Sequence, residues 1–302
     1  MRLTSLSLLL VFALAAALPA QEARTVPLEW KLKKGDQHRY EAGHVMEMDI
    51  AGTEITMEML FGMAMEVTEV SAEGAAKLKV TYDRVKVSMT GPMTSDYDSD
   101  KEKKAEESDI LSLMLSGFLN KSFTMDITKK GECTKVEGLS KIVADAAKDI
   151  PDENPMAAQM KQNLGKQFGD EGMKSVFQMF MGFLPKEPVA VGATWNNKHT
   201  LGGALGKVAL DATNTLKELR SEGKEAVIKM DAKVTVTPGD GGGPFGAMEI
   251  SDSKMKSEVI WKVEEGRLQS SSGTLSLDGT AGGMDFSIVQ KMTMKLAPRA
   301  KK

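Results

Sequence analysis

The stretch ITMEMLFGMAMEV, residues 55–67, decides the fold class. Every odd position in it is apolar, whereas threonine and glutamate occupy several of the even positions. Because successive side chains of a β-strand point to opposite faces, this period of two predicts a long strand with one buried face. At ~3.3 Å per residue such a strand would be about 43 Å long, so we expect its sheet to curl.

The flanking segments extend this pattern. Apolar residues occupy most even positions from Tyr40 to Ile50, and Ala51-Gly52-Thr53 is predicted to be the hairpin turn between the two strands. The parity of the apolar positions switches between residues 78–82 and 85–89, which predicts a bulge near Asp83-Arg84. Further alternating segments are predicted to be strands at residues 123–127, 208–212, 226–236, 259–263 and 284–288.

Three short sequence motifs recur in the same order along the chain, which indicates two degenerate copies of one unit. The matched pairs are residues 34–36 with 191–193, 66–74 with 216–223, and 125–131 with 260–266. We therefore expect a first β-repeat at 27–138 with a helix near 108–120, a helical connector at 139–186 and a second β-repeat at 187–298. The predicted fold class is α+β: two repeated, antiparallel, strongly curved sheets, half-barrel-like, with short helices packed on them.

The N-terminus has the order of a cleavable secretory signal. Arg2 precedes an apolar stretch at residues 8–18, and a small-residue cleavage site ends at Ala20. The eleven apolar residues fall short of the roughly 20 that span a bilayer. Cys133 lies too far from the cut to serve as a lipid anchor. We expect an exported protein, periplasmic or secreted, with a signal at residues 1–20 and no transmembrane segment in the mature chain.

The charge balance excludes one class of partner. Removing Arg2 with the signal leaves 38 of the 39 basic residues and all 42 acidic ones, a formal charge of −4. A nucleic-acid surface needs clustered lysine and arginine, so no nucleic-acid partner is expected. A single cysteine forms no internal disulfide, and Cys133 is predicted to be half-exposed and unreactive. Stability must then come from a packed core.

Two patterns resemble metal sites. Asp96, Asp98, Asp100 and Glu107 occupy positions 1, 3, 5 and 12 of a calcium loop, but Lys101 replaces the glycine of its sharp turn. This segment is either a loose calcium site or a solvated run of charges. The 22 methionines include Met-x-Met pairs at 46/48, 57/59, 63/65 and 292/294. Paired thioethers suit copper(I), yet the same positions form the buried strand face, where methionine fills space, and we favour that interpretation.

Motifs that carry catalysis are missing from the sequence. It contains no Gly-x-Ser-x-Gly, His-Glu-x-x-His, Cys-x-x-Cys or Walker pattern. The glycine-rich residues 241–246 match the letters of a dinucleotide fingerprint, but a strand-like segment follows them where a phosphate site needs a helix. We predict that the protein is not an enzyme and has no cofactor.

Several sequence motifs resemble those of a family of exported bacterial proteins that is catalogued only as a domain of unknown function. They are residues 33–36 with Tyr40, 80–86, 135–138, and 183–195. The resemblance spans most of the mature chain, and its motifs are structural. It therefore implies the fold and no reaction.

The function expected from these features is binding of a lipid or another apolar ligand, by an exported, non-enzymatic protein, on a methionine-rich sheet face beneath movable helices. The predicted ligand-binding residues are Met46, Met48, Met57, Met59, Phe61, Met63 and Met65. The alternative is a structural or cell-envelope protein that interacts with another protein and binds no small ligand. A continuous cavity of a few hundred Å³ would favour the carrier, and a closed core the alternative.

Overall fold

The computed structural model describes residues 24–92, 94–101, 109–149, 161, 165–166, 168–203, 206–237 and 248–298. Some predictions lie outside these residues. They are the secretory signal at residues 1–20, the proposed calcium ligand Glu107 and the glycine-rich stretch at 241–246.

Long strands dominate the described residues. In chain order they are β1 (Gln37–Ile50), β2 (Thr53–Val70), β3 (Ala76–Thr90), β4 (Ser95–Asp98), β5 (Ser122–Ile127), β6 (Cys133–Glu137), β7 (Thr194–Gly203), β8 (Gly206–Arg220), β9 (Glu225–Thr237), β10 (Met248–Lys262), β11 (Arg267–Ala281) and β12 (Met284–Ala297). The described residues include the α-helices α1 (Ile110–Ser116), α2 (Leu139–Ala146) and α3 (Asp170–Met181), with short 3-10 turns at Ala147–Asp149 and Ser221–Gly223.

All of these strands belong to one antiparallel sheet. Its order is β6-β5-β3-β2-β1-β12-β11-β10-β9-β8-β7, with β4 paired to β3 beside this path. The prediction of two separate sheets is wrong, because β1 and β12 pair along their length, from Arg39 opposite Ala297 to Ile50 opposite Phe286. The sheet is not closed, since β6 and β7 remain as its two edges.

The β1–β2 hairpin has the register that the alternation requires. Met46 lies opposite Met57 and Tyr40 opposite Met63, so the apolar residues of both strands share one face. Ala51 and Gly52 form the turn, both with positive φ (52° and 82°), which confirms the predicted hairpin.

The predicted bulge is also confirmed. Gly62 pairs with Arg84 and the next residue, Met63, pairs with Tyr82, so Asp83 is the extra residue of β3. The carboxylate of Asp83 accepts two hydrogen bonds from the Arg39 guanidinium, at 2.7 and 3.0 Å. Asp83 therefore has no partner residue on β2, and its side chain instead forms an ion pair with Arg39 of β1, across β2.

The two predicted repeats begin with the same backbone contact. The N–H of Gly35 donates to the carbonyl of Val67 at 2.8 Å, and the N–H of Gly192 donates to that of Leu216 at 2.7 Å. In both places a glycine with positive φ precedes the first strand of the copy and contacts its second strand. The boundaries of the repeats stay a prediction.

Helix α3 connects the two edges of the sheet. Gln178 accepts a hydrogen bond from the backbone of Cys133 on β6, and Asn197 on β7 donates one to the carbonyl of Gly182, which ends the helix. In a flat sheet, eleven strands at ~4.8 Å would place the edges about 48 Å apart, whereas twelve helical residues span only about 18 Å. The sheet therefore curves strongly, and α3 lies within the curve.

One end of the curved sheet, here called the base, is closed by residues 24–33. The N–H of Trp30 donates to the carbonyl of Lys129 at 2.8 Å, and that of Lys31 to the carbonyl of Gly266 at 3.0 Å. The Trp30 and Trp261 rings pack edge to face with centroids 4.9 Å apart. The opposite end, here called the hairpin end, carries the turns at 51–52 and 282–283.

Candidate functional site

The candidate site is the inner face of the sheet, the face that packs against α3. The register places all of the predicted ligand-binding side chains on it: Met46, Met48, Met57, Met59, Phe61, Met63 and Met65. Their neighbours on the same strands, such as Glu47 and Thr56, point to the outer face. The period-two pattern thus identified which side chains share the inner face, and their role in ligand binding stays a prediction.

The structure divides these residues between two environments. Near the base, Met63 and Met65 line a cavity together with Phe177 and Phe180 of α3. Phe61 packs against the ring of Tyr82 at 5.8 Å between centroids. Toward the hairpin end, four methionines are only partly buried: Met46, Met48, Met57 and Met59. The predicted set is therefore part core and part accessible surface.

Two small cavities separate α3 from the sheet. One, of about 50 Å³, lies under Met179 and is lined on the sheet side by residues that include Met230 and Val259. The other, of about 30 Å³, lies against Tyr40 near the base. Phe180 lines both cavities, and each is well below the few hundred Å³ that encloses a small-molecule ligand. A large apolar ligand fits neither cavity unless α3 moves.

The inner face at the hairpin end also carries a set of partly buried apolar side chains, here called the apolar strip. Its members are partly buried side chains that pack around a small buried cluster centred on Met255 and Leu277. They are Met46, Met48, Ile50, Val208, Val236, Ile250, Leu275 and Met292.

A polar pair sits beside the apolar strip. His44 lies opposite Met59 and Met292 on the neighbouring strands, and Gln290 contacts the sulfur of Met46 at 3.4 Å. Burial lowers the pKa of His44, while a hydrogen bond with Gln290 partly opposes that shift. Burial likewise lowers the pKa of His199 on β7. The lowered pKa favours the neutral form of both imidazoles at neutral pH.

Two of the four proposed calcium ligands lie on a strand, where a loop was expected. Asp96 and Asp98 lie on β4, and Asp98 accepts a hydrogen bond from the backbone of Asp100 at 3.1 Å. The carboxylate of Asp100 lies 2.8 Å from the Arg84 guanidinium. In the part of the chain that the structure describes, no three or more His, Cys, Asp or Glu residues form a group suited to a metal ion. With Glu107 outside that part, the calcium site stays a prediction.

The predicted exposure of Cys133 is wrong. The residue is buried, with 5% of its surface exposed, because α3 packs over β6. Burial raises the pKa of the thiol to about 11, so it stays protonated at neutral pH. The sequence around it is polar and gave no sign of the helix that covers it.

One polar residue of the inner face was missed from the sequence. Asn214 occupies the middle of β8, in line with Leu210, Ala212 and Leu216, and is 1% exposed. An asparagine at an alternate apolar position was a visible signal, since a buried amide needs hydrogen-bond partners. Its side chain lines the 50 Å³ cavity.

Among the described residues, no helix is long and apolar enough to cross a membrane. No curated protein matches the sequence. Among solved structures, one of lipid-protein interactions in lipovitellin is similar over 90% of this chain, with 9% identity and a TM-score of 0.50. The match covers 26% of that chain, so this protein spans about a quarter of its length. At this identity the similarity shows the fold alone.

Two further structures are similar at much lower TM-scores. DynF from the dynemicin biosynthesis pathway of Micromonospora chersina has 6% identity and a TM-score of 0.21, with 93% of this chain and 90% of that one covered. The transport unit of the autotransporter AIDA-I from Escherichia coli has 8% identity and a TM-score of 0.19, with 89% and 92% covered. Neither supports an argument about this fold.

The sequence comparison gives a more specific result. A family model, described as Family of unknown function (DUF6263), matches residues 73–264, which run from the β2–β3 turn to the loop after β10. The matched region includes α3 and the cavity-lining residues Met179, Phe180 and Asn214. More than half of the chain is matched, and this protein belongs to that family of unknown function.

Proposed function

We propose that this chain is an exported protein that binds a lipid or a similar apolar molecule and catalyses no reaction. The observation that carries the proposal is the chemistry of the inner face. At its positions along β1, β2, β8, β9 and β12 there is no aspartate, glutamate, lysine or arginine, whereas the outer positions of the same strands carry many. A surface of this kind favours apolar ligands.

The apolar strip supplies the contact surface. Its methionines are unbranched and polarizable, so they can adapt to an irregular chain or ring. They are partly buried, which leaves apolar area for a ligand to cover. Burial of that area would stabilise the complex by about 25 cal/mol per Å² before the costs of binding are counted.

The likeness to lipovitellin supports this proposal at the level of the fold. That structure concerns lipid-protein interactions, and the fold similarity to it extends over 90% of this chain. In this chain the ligand would lie along the sheet at the hairpin end, since the base is filled by Trp30, Trp261 and the residues around them.

The direct test is extraction of the purified protein with organic solvent, followed by mass spectrometry. We expect apolar molecules in amounts comparable to the protein, and their loss when the protein is first washed with detergent. A protein that is purified empty and takes up none of an added mixture of phospholipids, neutral lipids and fatty acids would overturn the proposal.

A structural or cell-envelope role that depends on another protein is the second candidate. The small volume of the two cavities under α3, about 50 and 30 Å³, favours it. A photo-reactive amino acid in place of Met57 distinguishes the two functions in the native host, because it crosslinks to whatever covers that position. A lipid adduct supports the carrier, and a single protein adduct supports the interaction role.

A further inference from the structure

Two hydrogen bonds fix the orientation of the Asn214 side-chain amide. Asn197 donates from Nδ2 to the carbonyl of Gly182 at 3.0 Å, and because a carbonyl only accepts, this fixes the orientation of the Asn197 amide. Its Oδ1 then accepts from Asn214 Nδ2 at 2.7 Å. The orientation of the Asn214 amide is therefore also fixed. Neither of these hydrogen bonds involves its Oδ1.

This Oδ1 is buried, and among the described residues it accepts no hydrogen bond. A buried acceptor without a donor destabilises a fold, and such groups are uncommon in native proteins. Nδ2 is engaged on the β7 side, while the 50 Å³ cavity lies on the side of β9 and β10. The orphan acceptor thus belongs to a residue that lines an apolar cavity.

The rest of the cavity wall limits what could supply a donor. The described lining residues include four methionines and two phenylalanines, four hydroxyl-bearing residues (Ser257, Ser271, Ser272 and Thr293), and no ionisable side chain. A carboxylate would bring a negative oxygen toward an acceptor and lose its hydration. An ammonium group would be buried without a counter-charge. A neutral hydroxyl has neither disadvantage.

We propose that the Asn214 cavity binds the hydroxyl end of a neutral, long-chain lipid alcohol, whose apolar chain lies along the strip toward the hairpin end. This inference rests on the function proposed above and specifies its ligand class. Asn214 Oδ1 accepts the hydroxyl proton, and Ser257 or Ser271 donates to the hydroxyl oxygen. The Met179 and Met230 side chains lie at the cavity and rearrange to admit the ligand.

The test compares three ligands of equal chain length by displacement of the neutral dye Nile red: 1-dodecanol, dodecyl methyl ether and dodecanoate. We expect the wild-type protein to bind dodecanol about fivefold more tightly than the ether, the equivalent of one net hydrogen bond. Dodecanoate should bind more weakly than the alcohol.

Two substitutions locate the effect. Asn214→Leu removes the acceptor and should bring the ratio of alcohol to ether affinity to about one, while ether binding is retained. Asn196→Leu is the matched control, because Asn196 is exposed on the other face of the neighbouring strand β7 and should keep the wild-type ratio.

The outcomes separate the two proposals. If the wild-type protein binds alcohol and ether equally, the inference is wrong and the proposed function stands. If it binds none of the three ligands and no Nile red, the proposed function itself fails. The wild-type comparison holds even if Asn214→Leu does not fold, and an unchanged ratio in a folded Asn214→Leu protein would also overturn the inference.

Discussion

The side-chain oxygen of Gln178 accepts a hydrogen bond from the backbone N–H of Cys133 at 2.6 Å. This contact ties α3 to one edge of the sheet, and the hydrogen bond from Trp195 Nε1 to the carbonyl of Phe183, at 2.7 Å, ties the end of the same helix segment to the other edge. The α3 segment thereby bridges the two edges of the open, curved sheet. Movement of α3 would open the inner face.

Loosening α3 should expose Cys133. Gln178→Leu leaves the Cys133 N–H without its acceptor, which we expect to cost about 1–3 kcal/mol because the group is buried. The single cysteine of the chain reports on this directly. The rate of thiol alkylation in native buffer should rise about tenfold for each 1.4 kcal/mol lost in local opening.

Gln178→Glu is the control for that experiment, because it keeps an oxygen acceptor at the same position. It should label at close to the wild-type rate. Equal labelling rates for Gln178→Leu and the wild-type protein would show that this hydrogen bond does not hold the helix in place.

Gly62 provides room for the ion pair above it. A Cβ at this position would overlap the Asp83 carboxylate and the Arg39 guanidinium. Gly62→Ala should therefore separate the pair or distort the bulge, and we expect it to lower the free energy of unfolding by about 1–3 kcal/mol. Urea denaturation, monitored by tryptophan fluorescence, measures the change in the free energy of unfolding.

Gly202→Ala is the matched substitution for this experiment. Gly202 also lies in a strand, but nothing is within 4 Å of an added Cβ. Its effect should stay within about 0.5 kcal/mol. If both variants unfold at the same urea concentration, the close approach at Gly62 has no energetic consequence.

Local features of this fold could be predicted from the sequence. The β1–β2 hairpin, the bulge at Asp83 and a helix within residues 108–120 all depend on residues that are close in sequence, and each was predicted. Asp109 caps that helix by accepting from the Ser112 N–H at 3.0 Å. The face that carries the predicted ligand-binding methionines followed from the same alternation.

Long-range features could not be predicted. The pairing of β1 with β12 joins residues about 250 positions apart, and no local pattern encodes it. Strand β11 was missed because serine and glycine occupy inner positions such as Ser271 and Gly273, where α3 lies close. Small residues make space for the helix there and remove the alternation that would have revealed the strand.

Stability should fall as the pH falls below about 6.5, the ordinary pKa of histidine. Burial lowers the pKa of His44 and His199 in the folded protein, so the unfolded chain binds more protons at mildly acidic pH. The stabilisation that these histidines contribute is fully present above the pKa of histidine in the unfolded chain. It is lost as the pH falls toward the lowered pKa in the folded protein. The slope is at most about 1.4 kcal/mol per pH unit for each histidine.

Urea denaturation of the wild-type protein and of the His44→Gln/His199→Gln variant at pH 7.0 to 5.5 measures this slope. The wild-type protein should lose stability across that range, and the variant should lose clearly less. Identical slopes in the two proteins would mean that burial of these imidazoles does not set the acid sensitivity.

The most direct measurement for the central claim compares two pairs of substitutions on the same hairpin. Met46→Gln/Met57→Gln makes a cross-strand pair on the inner face polar, and Glu47→Gln/Thr56→Gln changes the adjacent pair on the outer face. Both are titrated with Nile red after circular dichroism has shown that they are folded. We predict that the inner-face variant binds at least about tenfold more weakly than the wild-type protein, a loss of about 1.4 kcal/mol, and that the outer-face variant binds normally. Equal affinities for the two variants would contradict the assignment of the inner face as the binding surface.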